Sequence, residues 1–418
     1  MTATTAPGPR RRGLGALLPP SASPAAATVV LARTLRGFAD GFVSVLLAQY
    51  LVGLGLSPFA VGAIVTATLL GSAALTLAFG LSAHRTGLAG LLVAACGLMA
   101  ATGLGFAAFT TVGPLLVVAL VGTLNPSAGD VSVFLPTEQA LVAGEVDAEE
   151  RPRLFALYNV GGTLAGALGA LASGLPQGLA HRYGWEVTDA QRLGFGLYTA
   201  VALVTLALYR GLPRRIRNPI APAAGRSPLG TSRTAVLRLA ALFSLDSAGS
   251  GFVVTSMLVL WLHLRFDLSA GSTATVFFAS GLLGGASQFL APRLARRIGL
   301  VRTMVFTHIP ANLILALTPF APNGRVAIAM LLARSLFAQM DSPARQSFVM
   351  AVVPPEHRAA ASSVTNVPRS LASAVTPLAA GAILARSHFG WPLLLAGLTK
   401  LAYDLLLLAL HRDTPTDG

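Results

Sequence analysis

Long uncharged stretches recur along this chain at the length a bilayer demands, about 20 residues for a spanning helix at 1.5 Å per residue. Residues 59–81 and 303–324 are two of them. Residues 87–129 hold no charge at all, about twice one crossing. They read as two spans, with residues 110–114 supplying the turn between them. Carried through the chain, the pattern predicts spans at 27–52, 58–82, 87–110, 113–142, 151–179 and 192–212. A second set follows at 234–264, 269–294, 299–320, 325–353, 358–386 and 392–410. The fold class expected is an all-α membrane protein with twelve transmembrane helices in two six-helix bundles, 27–212 and 234–411. Residues 1–26 are polar and rich in Pro and Ala and read as a disordered tail, and residues 412–418 read as a second tail. Small residues four apart, such as Gly162 and Gly166, allow helices to approach closely where water cannot drive them together.

Between the two sets lies a basic segment, 213–233, with arginines on both flanks and four prolines between Pro213 and Pro228. It reads as a linker on the cytoplasmic side. The formal charge of +14 would point to nucleic acid in a soluble protein. Here the excess sorts by loop. Arg10 to Arg12, Arg85, the linker arginines, Arg293, Arg296, Arg297 and Arg302 fall on one side, which places both termini inside. No aromatics interleave with these basic residues, so nucleic acid is not an expected partner. Trp185, Trp261 and Trp391 then fall at the outer boundary, as an interfacial ring would.

A composition of 54% hydrophobic and 11% charged residues confirms lipid as the natural solvent. The lone cysteine, Cys96, excludes an intramolecular disulfide and a cysteine-based metal cluster. Lys400 is the only lysine, and Thr399 precedes it, so a phosphate-binding loop ending in Gly-Lys-Ser/Thr is absent. No H-E-x-x-H motif occurs, so no cofactor or metal is expected and an intramembrane enzyme finds no support. No filter-like segment marks a channel either.

The second set of spans repeats the first. Pro136-Thr137-Glu138-Gln139 matches Pro343-Ala344-Arg345-Gln346, Arg151 matches Arg358, and the run from Asn159 matches the run from Asn366. Near the start of each half, Gly41-Phe42-Val43 echoes Gly251-Phe252-Val253. Parallel repeats of this kind place a site at the interface of two halves.

After the second span the chain reads Gly80-Leu81-Ser82-Ala83-His84-Arg85-Thr86-Gly87, and Pro292 to Gly299 is a weaker copy. This resembles the cytoplasmic signature of the major facilitator superfamily, G-x-x-x-D-R-x-G, with His84 where the family has Asp. In pattern the chain resembles most the bacterial drug/proton antiporter branch. The glycines of the fifth helix match that branch's motif only loosely, because Gly174-Leu175-Pro176 breaks its Gly-Pro pair. The resemblance implies a secondary transporter of a small molecule that works by alternating access with protons as coupling ion, most simply in efflux. It implies a monomer in the bacterial cytoplasmic membrane, a setting that the Ala-, Gly- and Arg-rich composition also suggests. Uptake of a polar metabolite or ion is the alternative. Gly80, His84, Arg85 and Gly87 would belong to the inner gate, with His84 either a pH-dependent substitute for the signature Asp or an ordinary loop histidine.

Ionisable groups at membrane depth are expensive and demand a reason. Asp40, Asp246, Arg334, Asp341 and Arg345 are the ones to explain, and the resemblance puts all five on cavity-lining helices. One-turn spacing lets Arg36 pair with Asp40, and Asp341 with Arg345; Lys400 and Asp404 read as structural by the same spacing. By the repeat, Arg36 corresponds to Asp246 and Glu138 to Arg345. Opposite signs at related positions suggest that Glu138 and Arg345 latch the inner gate. Asp40, Asp246 and Asp341 are candidates for the proton-coupling carboxylate, Asp246 first because no base lies within a turn of it. Gln139, Asn159, Gln346 and Asn366 are candidate substrate ligands or interhelical hydrogen-bond partners. Phe38, Phe42, Phe252, Phe337 and Phe348 either wall the cavity or pack against lipid.

Overall fold

The structure, a computed structural model, describes residues 18–127, 132–147, 149–213, 233–288, 290–341, 344–345, 348 and 358–411; side chains at several of these, including 80–86 and 358–367, lie outside the description. Every regular element among the described residues is helical. The first half comprises α1 (Pro24–Gly53), α2 (Pro58–Ala108), α3 (Val112–Val121), α4 (Phe134–Ala143), α5 (Arg151–Ala172), α6 (Leu175–Tyr183) and α7 (Val187–Arg210). The second comprises α8 (Arg233–Phe252), α9 (Thr255–Phe266), α10 (Ala270–Gln288), α11 (Ala291–Ile298), α12 (Leu300–Leu317), α13 (Gly324–Ala338), α14 (Arg358–Leu384) and α15 (Trp391–His411). Among the described residues, seven stretches are long and apolar enough to cross a membrane.

Local chemistry explains where the helices begin. Ser23-Pro24 and Ser57-Pro58 open α1 and α2: each serine side chain accepts the N–H of the third residue on, and each proline occupies a position whose N–H has no partner in any case. The segment expected to be a disordered tail is ordered at its end. Ser21 donates its N–H and hydroxyl to Glu150, and Ser23 donates its hydroxyl to Glu145, which straps the entry of α1 to the turn between α4 and α5.

Breaks are the main departure from the expected spans. The fourth is interrupted after α3, where Gly122 takes an extended conformation and Asn125-Pro126-Ser127 follows; a proline cannot donate to the ladder. The seventh breaks between α8 and α9, where Val254 is extended. The fifth passes from α5 to α6 at Ser173-Gly174, just before Pro176. Conversely, the second and third spans join as one helix through the expected loop, interrupted only at Gly87 (φ 69°, ψ 158°). Its counterpart Gly299 has φ 86° and ψ 164°. Both glycines thus serve as stop and restart points that a side chain would strain. Gly87→Ala is expected to cost about 1–2 kcal/mol and to lower the melting temperature in detergent. Gly97→Ala, at a helical position with open space around it, should not lower that temperature and should raise it slightly, since alanine favours the helix.

Helices approach through glycine. An ideal Cβ on Gly41 would lie 2.0 Å from the carbonyl oxygen of Gly166, and one on Gly251 would lie 2.2 Å from that of Ser373. Gly41 and Gly251 are repeat-related, as are Gly166 and Ser373, so α1 against α5 and α8 against α14 are the same contact made twice.

Of the tryptophans expected at the boundary, Trp185 and Trp391 are exposed, but Trp261 is fully buried and packs edge-on against Phe266. The expectation failed there because the position is covered by the segment around Gly390, whose added Cβ would touch the Trp261 ring nitrogen. Cys96 is a free, buried thiol.

Candidate functional site: two buried ionic clusters and the joint between the halves

In the first half, Arg36 on α1 reaches Glu138 on α4 through two parallel bonds, Nε to Oε1 at 3.2 Å and Nη2 to Oε2 at 2.6 Å. The Tyr158 hydroxyl of α5 and the Tyr209 hydroxyl of α7 both donate to the same carboxylate. The Arg36 guanidinium also lies 3.8 Å from the centroid of the Phe134 ring. Arg36 and Glu138 are 1% and 0% exposed, so the charges depend wholly on these partners. A two-toothed arginine fork on a carboxylate is the geometry that compensates such burial best.

In the second half, Asp246 on α8 accepts from Lys400 Nζ of α15 at 2.5 Å and from Arg345 Nη1 at 3.1 Å. Arg345 also reaches Asp341 at 3.4 Å. His308 on α12 places Nδ1 2.9 Å from Asp404 of α15 and Nε2 3.9 Å from Asp246, while Asn312 donates to the other Asp404 oxygen at 2.8 Å.

These arrangements change three expectations. In this conformation Glu138 and Arg345 are apart, each held inside its own half, by Arg36 and by Asp246, whereas the latch was expected for a closed inner gate. Arg36–Glu138 and Asp246–Arg345 are one duplicated ion pair with its polarity reversed, so opposite signs at related positions reflect partners within each half. Second, Asp246 is not short of bases; they come from helices distant in sequence, which helical spacing cannot register. Third, Lys400 and Asp404 do not pair with each other, since Lys400 turns to Asp246 and Asp404 to His308.

Asp40 is the carboxylate left over. Arg36 commits both donors to Glu138, and Asp40, 7% exposed, makes no hydrogen bond or ion pair among the described residues. Arg334 has its Nε buried without a hydrogen-bond partner, and α13 ends at Ala338, before Asp341.

Phe42 packs within the first half, stacked on Phe38 and against Gly194 of α7, and Phe348 lies in a buried cluster with Phe243 and Tyr403, so neither walls a cavity. Phe252 is half-buried at the end of α8. Gln139 is half-buried and Asn159 exposed. Gln346 and the side chains of Asn366, His84 and Arg85 lie outside the described residues, and Gly80 is placed only as part of α2.

The two interrupted spans meet. Ser256, at the start of α9, donates its N–H to Pro126 O at 3.2 Å and its hydroxyl to Ser44 O of α1 at 2.8 Å; Thr255 donates to Ser127 O at 3.3 Å. The breaks thus free backbone carbonyls that serine and threonine of the other half satisfy. Further close approaches between the halves join Gly62 to Gly381, Gly174 to Gly271 and Gly281 to Ala167, and Gln177 accepts the N–H of Ala270. All lie toward the face opposite the one where α1 begins and α15 ends.

Tyr158, Tyr209, His308, Asn312, Lys400 and Asp404 were not expected at a site. His308 had a legible signal: it is an ionisable group inside an otherwise uncharged span, the condition that marked the aspartates.

Helices, ion pairs at membrane depth and broken spans meeting between duplicated halves define a membrane carrier. The family model described as Major Facilitator Superfamily matches residues 29–367, and the chain belongs to that family. An uncharacterised membrane protein of Saccharomyces cerevisiae is 26% identical over 328 residues, 70% of this chain and 73% of its own length. A variant of nucleoside transporter NupG is similar in structure, with a TM-score of 0.73 at 14% identity, over 93% of this chain and all of that one. The POT family transporter PepTSo gives 0.72 at 11% identity, over 93% and 97%. The chain is therefore a membrane transporter of this fold and not an enzyme.

Proposed function

We propose that the two halves are bundles that rock about the joint at Ser44, Pro126 and Ser256, carrying a small organic molecule across the membrane by alternating access. The single observation behind this reading is the distribution of approaches between the halves. Those described gather toward one face, which fits a carrier closed there. With the termini cytoplasmic, as the arginine distribution indicates, the closed face is the outer one. We read the cycle as proton-coupled efflux by a monomer in a bacterial cytoplasmic membrane, with Asp40 as the coupling carboxylate of the first half. It is the buried acid whose charge no base claims, so a proton can be taken up or lost without breaking an ion pair.

The cargo class follows from what is already neutralised. Glu138, Asp246 and Asp341 are each matched to a base, which removes most of the acidic attraction for a cation. The unpartnered Nε of Arg334 supports a cargo bearing an anionic or hydrogen-bond-accepting group, and the same observation favours the second reading, uptake of a polar metabolite.

The test is a growth screen of an expressing strain against a panel of drugs and metabolites, with and without a proton uncoupler, followed by flux in proteoliposomes. Flux of the hit should saturate, show counterflow and collapse with the uncoupler. Asp40→Asn should retain counterflow and lose at least about tenfold of proton-driven flux, one order being 1.4 kcal/mol of coupling. Flux indifferent to both the uncoupler and Asp40→Asn overturns the assignment.

A further inference from the structure

No acidic residue occurs between Asp267 and Asp341, so two spans and the loop that joins them carry bases without a counter-charge nearby in the chain. The bases gather in that loop. α11 presents Arg293, Arg296 and Arg297, spaced so that they share one face, and Arg302 follows in the first turn of α12. All four are exposed, and none makes an ion pair among the described residues. The counterpart segment of the first half, Gly80 to Gly87, has one arginine, Arg85, where α11 has three. The patch therefore belongs to the second half.

Its surroundings identify what covers it. α10 runs from the joint, where Gln177 accepts the N–H of Ala270, toward the side of the termini, and α11 lies there. Residues 300–320 are one of the candidate spans, so α11 ends where the chain enters the bilayer. Along that span Phe306, Leu313 and Leu317 are between 48% and 54% exposed. With Arg302 they follow at intervals of four, seven and four residues, the spacing of a single helix face. The face extends for about 22 Å, most of a hydrocarbon core of about 30 Å. Large apolar side chains open at this depth are covered by acyl chains, and Arg302 stands at the end of their row beside the arginines of α11. On α11 itself Leu294 and Ile298 are half-buried next to the basic stripe, an arrangement that suits a membrane interface. The competing occupant is the acidic turn between α4 and α5. Its Glu150 and Glu145 are held by Ser21 and Ser23, and none of the four arginines pairs with it.

We propose that Arg302 and the arginines of α11 form a docking site for an anionic phospholipid, with the headgroup phosphate among the guanidiniums and an acyl chain along the face from Phe306 to Leu317. Guanidinium groups bind phosphate through paired, charge-assisted hydrogen bonds, which a zwitterionic headgroup with its own ammonium satisfies less well. The lipid fastens the second half to the leaflet on the side of the termini. The assignment requires nothing of cargo, coupling ion or direction, and is independent of the role given to Asp40.

The test needs no substrate. The full chain is purified in an uncharged detergent, stripped of lipid, and titrated with phosphatidylglycerol or with phosphatidylcholine of the same acyl chains. Phosphatidylglycerol should raise the melting temperature and remain on the folded protein in native mass spectrometry, and phosphatidylcholine should do neither. A basic group beside an anionic surface contributes about fivefold in affinity. Arg293→Gln, Arg296→Gln, Arg297→Gln and Arg302→Gln should therefore each weaken binding by about that factor, and all four together by at least about tenfold. Arg182→Gln, Arg265→Gln, Arg325→Gln and Arg386→Gln combined remove the same charge from exposed positions elsewhere and should leave binding unchanged. Equal loss in that control, equal stabilisation by phosphatidylcholine, or the same shift from inorganic phosphate alone overturns the proposal. Single exchanges that lower the melting temperature of the lipid-free protein yet leave lipid binding unchanged assign the arginines to the acidic turn, and overturn it too.

Discussion

Glu138→Ala should leave a protein that inserts but does not survive extraction into detergent at temperatures where the parent is intact. The substitution leaves Arg36, 1% exposed, without the carboxylate that holds both its donors, and it leaves two tyrosine hydroxyls without an acceptor. Removing one partner of a buried pair costs about 3–5 kcal/mol, chiefly through the charge left behind. Tyr158→Phe and Tyr209→Phe, which take one donor each, should cost about 1–3 kcal/mol apiece. The decisive experiment is the swap. Because the second half carries the same pair with acid and base exchanged, Arg36→Asp combined with Glu138→Arg copies an arrangement the fold already tolerates. The tyrosine hydroxyls can accept from a guanidinium as readily as they donate to a carboxylate. The double variant should recover most of the melting temperature lost by Glu138→Arg alone. Glu138→Arg combined with Arg345→Glu, which would restore a pair between the halves, should recover none. The reverse ranking would reinstate the latch across the gate in place of the duplicated internal pair.

What could be read from the chain divides along a physical line. Span positions depend on the local density of apolar residues, and the repeat depends on matched identities, so both were accessible; so was the superfamily signature around Gly87. Ion-pair partners were not. Arg36 and Asp40 lie one turn apart, and spacing alone favours that pairing, but α4 carries Glu138 into the same space with better fork geometry and two hydroxyls in support. Spacing likewise joins Lys400 to Asp404, whereas packing sends them to α8 and α12. Helix-local rules rank partners on one helix and are silent about partners on another, and in a bundle it is the other helices that matter. The breaks were half legible: Pro126 and Gly122 gave a reason to end a helix, while Val253-Val254 gave none that propensity would detect. That second break is explained only by what it meets, the carbonyls of Ser44 and Pro126.

Closure of the face opposite the termini should fail when Gly381 gains a side chain. An ideal Cβ there lies 2.5 Å from the Pro58 carbonyl oxygen and 2.9 Å from the Gly62 Cα, both backbone atoms of α2 that cannot turn aside. Gly381→Leu must therefore part α2 and α14. Gly174, its repeat counterpart, makes the corresponding approach to Gly271. If these two crossings are the seal, overpacking one by about 1–3 kcal/mol moves the equilibrium between closed and open forms by roughly 5- to 150-fold. The reporter is Thr66→Cys in a Cys96→Ala background, since Thr66 is buried and one turn along α2 from Gly62 on the face that meets α14. A membrane-impermeant maleimide applied from the side opposite the termini should label it slowly in the otherwise native chain. Labelling should be at least about tenfold faster with Gly381→Leu, and Gly174→Leu should raise it in the same direction through the other crossing. Should Gly381→Leu leave the labelling rate unchanged while the protein remains folded, the two halves are closed elsewhere, and the joint at Ser44, Pro126 and Ser256 becomes the place where the barrier to the cargo must lie.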